Sequence, residues 1–236
     1  MDTVLRFWRY DDFALDFMLA QQFNYEFEIL EQAKANDMKH IVQLDETRLT
    51  SYAVLFNYRR YDMDLRAYLR KHRDYRKLPE ILLQVVAGLK ELRRLGYVHR
   101  DLKPENIVLN LKRPIEVAII DFDRSLPASN TCLTGTRGTA GYEPDQSNWF
   151  DGSVMWDMYA LVCIVVDCDM PIDEFMKASD SREAEGLIKK HVKKPDTCKL
   201  IYDLAQRVVL SYNNLDVPTY DELEEMIKQI KFRQYK

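Results

Sequence analysis

Short apolar and aromatic runs mark the first quarter of the chain, and helical spacing marks most of the remainder. Val4 to Trp8, Ile41 to Leu44 and Tyr52 to Phe56 are rich in β-branched or aromatic residues, which predicts three short strands. Between the first two, Phe23, Phe27, Leu30 and Lys34 recur at helical spacing beside Glu26 and Glu28. Up to about Phe56, then, the pattern is a small sheet with one helix. From Leu78 the residues Ile81, Leu82, Val85, Leu89, Leu92 and Leu95 continue one apolar helical face, and Gly96 stands where a helix C-terminus favours glycine.

Two apolar runs come next, Ile107 to Leu109 and Ile115 to Ile120, with Lys112-Arg113-Pro114 between them, which predicts a two-stranded hairpin. A polar stretch of Asn, Ser, Thr and Gly then predicts a long loop. After Asp151 the chain is helical again. Trp156 to Asp167 is apolar on all sides, as a buried helix is, and Leu223, Met226, Ile227 and Ile230 give a last amphipathic one. Strands segregated from helices predict the α+β class.

Composition narrows the function. The chain has 236 residues, 47% of them hydrophobic, enough for a sizeable core. Its 34 basic and 38 acidic residues nearly balance and no basic patch interleaves with aromatics, so a nucleic-acid partner is not expected. Cys132, Cys163, Cys168 and Cys198 form no C-x-x-C pair, which predicts reduced thiols and no metal site. Asp2, Arg6 and Arg9 interrupt the start where a signal peptide is apolar, and no run reaches the length of a membrane span. The expectation is an intracellular protein, cytoplasmic or nuclear, with no membrane partner.

Between the long helix and the hairpin stands Tyr97-Val98-His99-Arg100-Asp101-Leu102-Lys103-Pro104-Glu105-Asn106. It resembles the catalytic loop of eukaryotic-type protein kinases, an Asp base followed five residues on by an Asn metal ligand. The resemblance implies Asp101 as the base, Asn106 as a ligand of Mg2+, and Lys103 as a phosphate contact of the Ser/Thr type. Asp121-Phe122-Asp123 stands where the family has Asp-Phe-Gly, so Asp121 is the implied principal magnesium ligand, and Asp123 departs from the pattern. Asp at that position incurs a modest conformational cost that Gly avoids. Gly138-Thr139-Ala140-Gly141-Tyr142-Glu143-Pro144-Asp145 resembles the family's Gly-Thr-x-x-Tyr-x-Ala-Pro-Glu, one residue shorter. Thr131, Thr134, Thr136 and Thr139 lie in the intervening loop, where a phosphorylated Thr could dock on Arg100. An unmodified polar loop is the other reading. Asp157 in Asp157-Met158-Tyr159-Ala160-Leu161 is the implied anchor of the catalytic-loop backbone. Val217-Pro218-Thr219 replaces the family's Arg-Pro-Thr, which removes the usual partner of Asp145.

The family's small lobe is reduced. Glu26 matches the helix Glu that pairs with a strand Lys holding the ATP phosphates, but no Lys precedes Lys34. Arg6, in the Val4 to Trp8 strand, is the stand-in by position; an ordinary edge-strand Arg is the competing reading. The first glycine is Gly88, so the family's Gly-rich loop is missing, and two strands of the usual lobe are absent. The expected architecture is a protein-kinase-like bilobal fold in a single domain, residues 1–236, with a reduced N-lobe to about residue 60 and a helical C-lobe from about 61. The expected function is a Ser/Thr protein kinase with ATP and Mg2+, weakly active, acting on a protein substrate. The alternative is a silent pseudokinase that binds another kinase or its substrate as a module or decoy. A fragment whose missing strands lie upstream is a third. The incomplete lobe should leave Phe7, Trp8 and Phe27 partly open, which favours a partner or a homodimer through that surface.

Overall fold

The computed structural model describes residues 3–9, 17–72, 77–130, 138–139, 142, 154–168, 186 and 218–229. Strand β1 (Thr3–Arg9) is followed by helix α1 (Phe17–Ala35) and strands β2 (Leu44–Leu49) and β3 (Ala53–Arg59). The three strands form an antiparallel sheet in the order β1-β3-β2. Because side chains alternate along a strand, Trp8 and its β3 partner Val54 point to one face and Phe7 and Leu55 to the other. On the first face Phe56 stacks with Phe23 and Phe27 of α1, at centroid distances of 5.6 and 5.9 Å. The expectation that Phe7, Trp8 and Phe27 are partly open is therefore corrected for Trp8. Trp8 is buried, Phe27 is partly buried against the core, and Phe7 on the opposite face is 59% exposed.

Strand β2 also differs from its expected place. Of the apolar run Ile41 to Leu44, Leu44 alone enters it, opposite Tyr58: Ile41 makes a parallel bridge to Ile119, and Val42 N donates to Ile119 O at 3.0 Å. That run is buried because it joins the two halves of the structure, whereas β2 itself is a polar edge strand, and edge strands tolerate such sequences.

A short strand β4 (Met63–Asp64) leads into helix α2 (Leu65–Lys71), whose first turn is capped by Asp64 accepting from Ala67 N. Helix α3 (Leu78–Arg94) buries the predicted apolar face and ends at Leu95, with Gly96 next at φ +85°, the left-handed conformation glycine adopts without penalty. Gly88 lies where α3 meets the 40–42 segment. A Cβ there would stand 2.9 Å from His40 O and from Ile119 Cδ1.

The expected hairpin is present as β6 (Ile107–Asn110) and β7 (Glu116–Ile119), with β4 added on the far side of β6. A second pair, β5 (Tyr97–Val98) with β8 (Leu126–Pro127), brackets it. The segment 99–106 runs from β5 to β6, and 120–125 runs from β7 to β8. Two strand pairs thus clamp the two motif-bearing segments side by side. Helix α4 (Met155–Asp167) is buried over 156–165, and α5 (Tyr220–Gln229) is tied to α3 by Lys90, bonded to Asp221 at 2.6 Å and Glu224 at 2.7 Å. Among the described residues no helix is long and apolar enough to cross a membrane. Cys163 and Cys168 are buried thiols; Cys132, Cys198 and Ile230 lie outside the described residues.

Candidate active site

The 99–106 segment is anchored from beneath. Asp157, buried in the first turn of α4, accepts hydrogen bonds from the backbone N–H groups of His99 at 2.8 Å and Arg100 at 2.9 Å. Burial pushes its carboxyl upward in pKa, and those bonds work against the push. His99 reaches the neighbouring segment, with Nε2 2.9 Å from Ile120 O and its ring 5.2 Å from that of Phe122. Arg100 and Asp121 both take left-handed backbone conformations, at φ +68° and +69°. Each costs roughly 1–2 kcal/mol for a residue with a side chain, somewhat less for Asp, so both need external support.

On this anchored segment Asp101 is 5% exposed. Its Oδ1 accepts from the hydroxyl of Thr139 at 2.6 Å and its Oδ2 from Lys103 Nζ at 2.9 Å. Lys103 Nζ also donates to Thr139 Oγ1 at 3.0 Å, closing a triangle. Burial alone would raise the Asp101 pKa, but the bonds from Thr139 and Lys103 outweigh it and hold the carboxylate below its ordinary range. Asn106, in the short 3-10 turn Pro104–Asn106, donates through Nδ2 to Asp101 O at 2.9 Å. That bond fixes the amide nitrogen on the loop and turns the carbonyl oxygen away from it.

A second cluster gathers around Arg6 on β1. Nη1 lies 2.6 Å from Asp121 Oδ1 and 3.2 Å from Glu26 Oε1, and Nη2 lies 3.1 Å from Asp123 Oδ2. Its guanidinium carbon sits 5.0 Å from the Trp8 ring centroid, within cation–π range. Glu26 is 1% exposed and also accepts from Trp8 Nε1 at 3.1 Å and Tyr58 OH at 3.3 Å. Burial raises Glu26 to about 7, with Arg6 opposing the rise and the Asp123 and Asp121 charges adding to it. Asp123 is raised for the same reasons, burial first and then Asp121. One guanidinium facing three carboxylates leaves an excess of negative charge.

Beside the second cluster opens a cavity of about 560 Å³. Val4, Val42, Met63, Val108 and Ile120 supply apolar wall, and Arg6, Asp121, Arg59, Asp64 and Glu105 bring charge to its lining. The carboxylate of Asp121 and amide oxygen of Asn106 are donors of the kind a hard cation takes. Among the described residues no three Asp, Glu, His or Cys side chains converge as a metal cage. A cation that keeps waters and phosphate oxygens as ligands, as Mg2+ does, fits such a site.

The model of the protein kinase domain matches residues 14–230. The chain belongs to the protein kinase family. It is 28% identical over 134 residues to mitogen-activated protein kinase p38b of Drosophila melanogaster, covering 46% of this chain and 36% of the relative. The cyclin-dependent kinase 4 homolog of Caenorhabditis elegans is 32% identical over 142 residues, 56% of this chain and 33% of that one. Probable serine/threonine-protein kinase PknB of Lactococcus lactis is 27% identical over 164 residues, 64% of this chain and 25% of the relative. The kinase chain therefore spans about a quarter to a third of the length of these curated relatives. Protein kinases as a family use ATP and Mg2+.

The kinase fold gathers the candidate base, phosphate and metal residues into two groups. Asp101, Lys103 and Asn106 share one network, and Arg6, Glu26 and Asp121 share the other. The family match begins after β1, so it is geometry and not sequence similarity that puts Arg6 on Glu26. Sequence reasoning missed the cavity wall, although strand alternation places Val4 on the same face as Arg6. It also missed the contact between Arg6 and Asp123, which joins residues 117 apart. Arg100 is buried with its guanidinium carbon 4.7 Å over the Trp156 ring, and the Thr139 hydroxyl is held by Asp101. Thr131, Thr134, Thr136, Asp145 and Val217 lie outside the described residues.

Proposed function

We propose that this chain is a Ser/Thr protein kinase of low turnover, one domain with a small lobe to about residue 60 and a helical lobe beyond, which transfers the ATP γ-phosphoryl group to a protein hydroxyl. The hydrogen bond from a threonine hydroxyl to Asp101 at 2.6 Å carries the reading, since it is the contact a substrate hydroxyl needs with its base. Asp101 takes the hydroxyl proton as the oxygen bonds to phosphorus and the bond to the leaving diphosphate breaks. Lys103 balances the charge on Asp101, and it would meet a phosphoryl oxygen. Bound magnesium ATP supplies the phosphoryl group and offsets charge on the leaving group. Asp121 and Asn106 would hold the metal, and Arg6, steadied by Glu26, would hold the phosphates. The apolar wall of the cavity suits a flat base, and the Arg6 guanidinium on its lining suits phosphates. Low turnover is expected from the lack of any glycine before Gly88 and from a bulkier guanidinium in place of an ammonium.

The test is calorimetric titration with magnesium ATP, together with transfer of labelled γ-phosphate to a mixed protein substrate. One saturable site and transfer that disappears in Asp101→Asn are expected. Absence of nucleotide binding would favour the second reading, a binding module for another kinase or its substrate. That reading draws on β1, an edge strand with Val4, Leu5 and Phe7 more than half exposed.

A further inference from the structure

Asp121 and Asp123 flank Phe122, which is fully buried beside His99. With the ring turned into the core, the two carboxylates two residues apart both reach the guanidinium of Arg6. They do so through different nitrogens: Nη1 binds Asp121, and Nη2 binds Asp123. Nη1 is shared with Glu26 as well. An ammonium has a single nitrogen and would have to gather all three carboxylates around it; the planar fork divides them between two.

Among the described residues β1 pairs with β3, and this fork is a polar connection from β1 to the 121–123 segment. It acts where the backbone takes its left-handed turn at Asp121. We propose that Arg6 and Asp123 are a matched pair: Asp123 holds the second arm of the guanidinium, and the guanidinium thereby fixes the carboxylate of Asp121 on the lining of the cavity. Asp123 is a positioning residue that acts through Arg6 rather than a ligand of its own. The inference rests on the nucleotide reading of the cavity for its consequence, but the pairing itself does not. Arginine at position 6 and aspartate at position 123 thus require one another.

The test is a double-mutant cycle of Arg6→Lys and Asp123→Asn on the full chain, with two readouts. The first is the magnesium concentration that half-saturates ATP binding at fixed ATP. Asp123→Asn should raise it at least fivefold in the parent and less than twofold in the Arg6→Lys background. The second is the thermal midpoint without ligand, where the two changes should be less than additive. An equal rise in both backgrounds would mean that Asp123 meets the metal directly, and would overturn the proposal. So would additive midpoints. If ATP does not bind the parent at all while the midpoints remain coupled, the nucleotide reading fails and the pairing stands.

Discussion

The hydroxyl of Thr139 donates to Oδ1 of Asp101 at 2.6 Å while Lys103 bridges the two side chains. The acid-base group of the proposed reaction thus already holds a hydroxyl, within a carboxylate kept ionised by its neighbours. Asp101→Asn preserves shape but cannot take the proton, so phosphoryl transfer should fall by about a hundredfold or more. Magnesium ATP affinity should change little. Transfer at the parental rate, measured on the same preparation, would remove Asp101 from the role of base.

Glu26 gives a pH signature. Its carboxyl is raised from 4.5 to about 7, first by burial and against the pull of Arg6. A raised acid binds its proton more tightly in the folded state, so its stabilising contribution is complete below about 4.5 and is lost as pH rises through about 7. The loss is on the order of 3 kcal/mol. Glu26→Gln carries no such titration. Melting temperatures of the parent and Glu26→Gln, compared from pH 4.5 to 8.5, should show the parent losing several degrees relative to the variant. A constant difference across that range would contradict the assignment.

Asp157 holds two successive buried N–H groups, those of His99 and Arg100. Asp157→Ala deprives both of that acceptor at a cost of about 3 kcal/mol. The 99–106 segment should loosen more than the rest, so amide exchange measured by mass spectrometry should rise first in that segment. Uniform protection across the chain would show that the anchor lies elsewhere.

Gly88 is required by packing. In an open helix Gly→Ala stabilises by roughly 0.5–1 kcal/mol. At this position the new Cβ would stand 2.9 Å from His40 O, a carbonyl already accepting from Ile119 N at 2.8 Å. Gly88→Ala should therefore destabilise by about 1–3 kcal/mol, read from chemical denaturation. A stabilised variant would mean that α3 moves away from the 40–42 segment at little cost.

Local pattern in the sequence determined much of this protein. The apolar face of α3 with Gly96 at its end, the all-apolar run of α4 and the hairpin around Lys112-Arg113-Pro114 each express a preference that a few neighbouring residues settle. The 99–106 motif was legible for the same reason, because base, lysine and asparagine must lie on one short loop. Strand β2 starts later than expected because Ile41 and Val42 are buried in a joint with Ile119, and apolarity alone does not say which neighbour a segment meets. Only the tertiary structure separated Phe7 from Trp8 and Phe27 across the sheet, and only it closed Arg6 on Glu26, Asp121 and Asp123. Those contacts span 20, 115 and 117 positions. A charge cluster of that kind has no local signature, since its members come together only when a strand edge, a helix and a turn pack against one core.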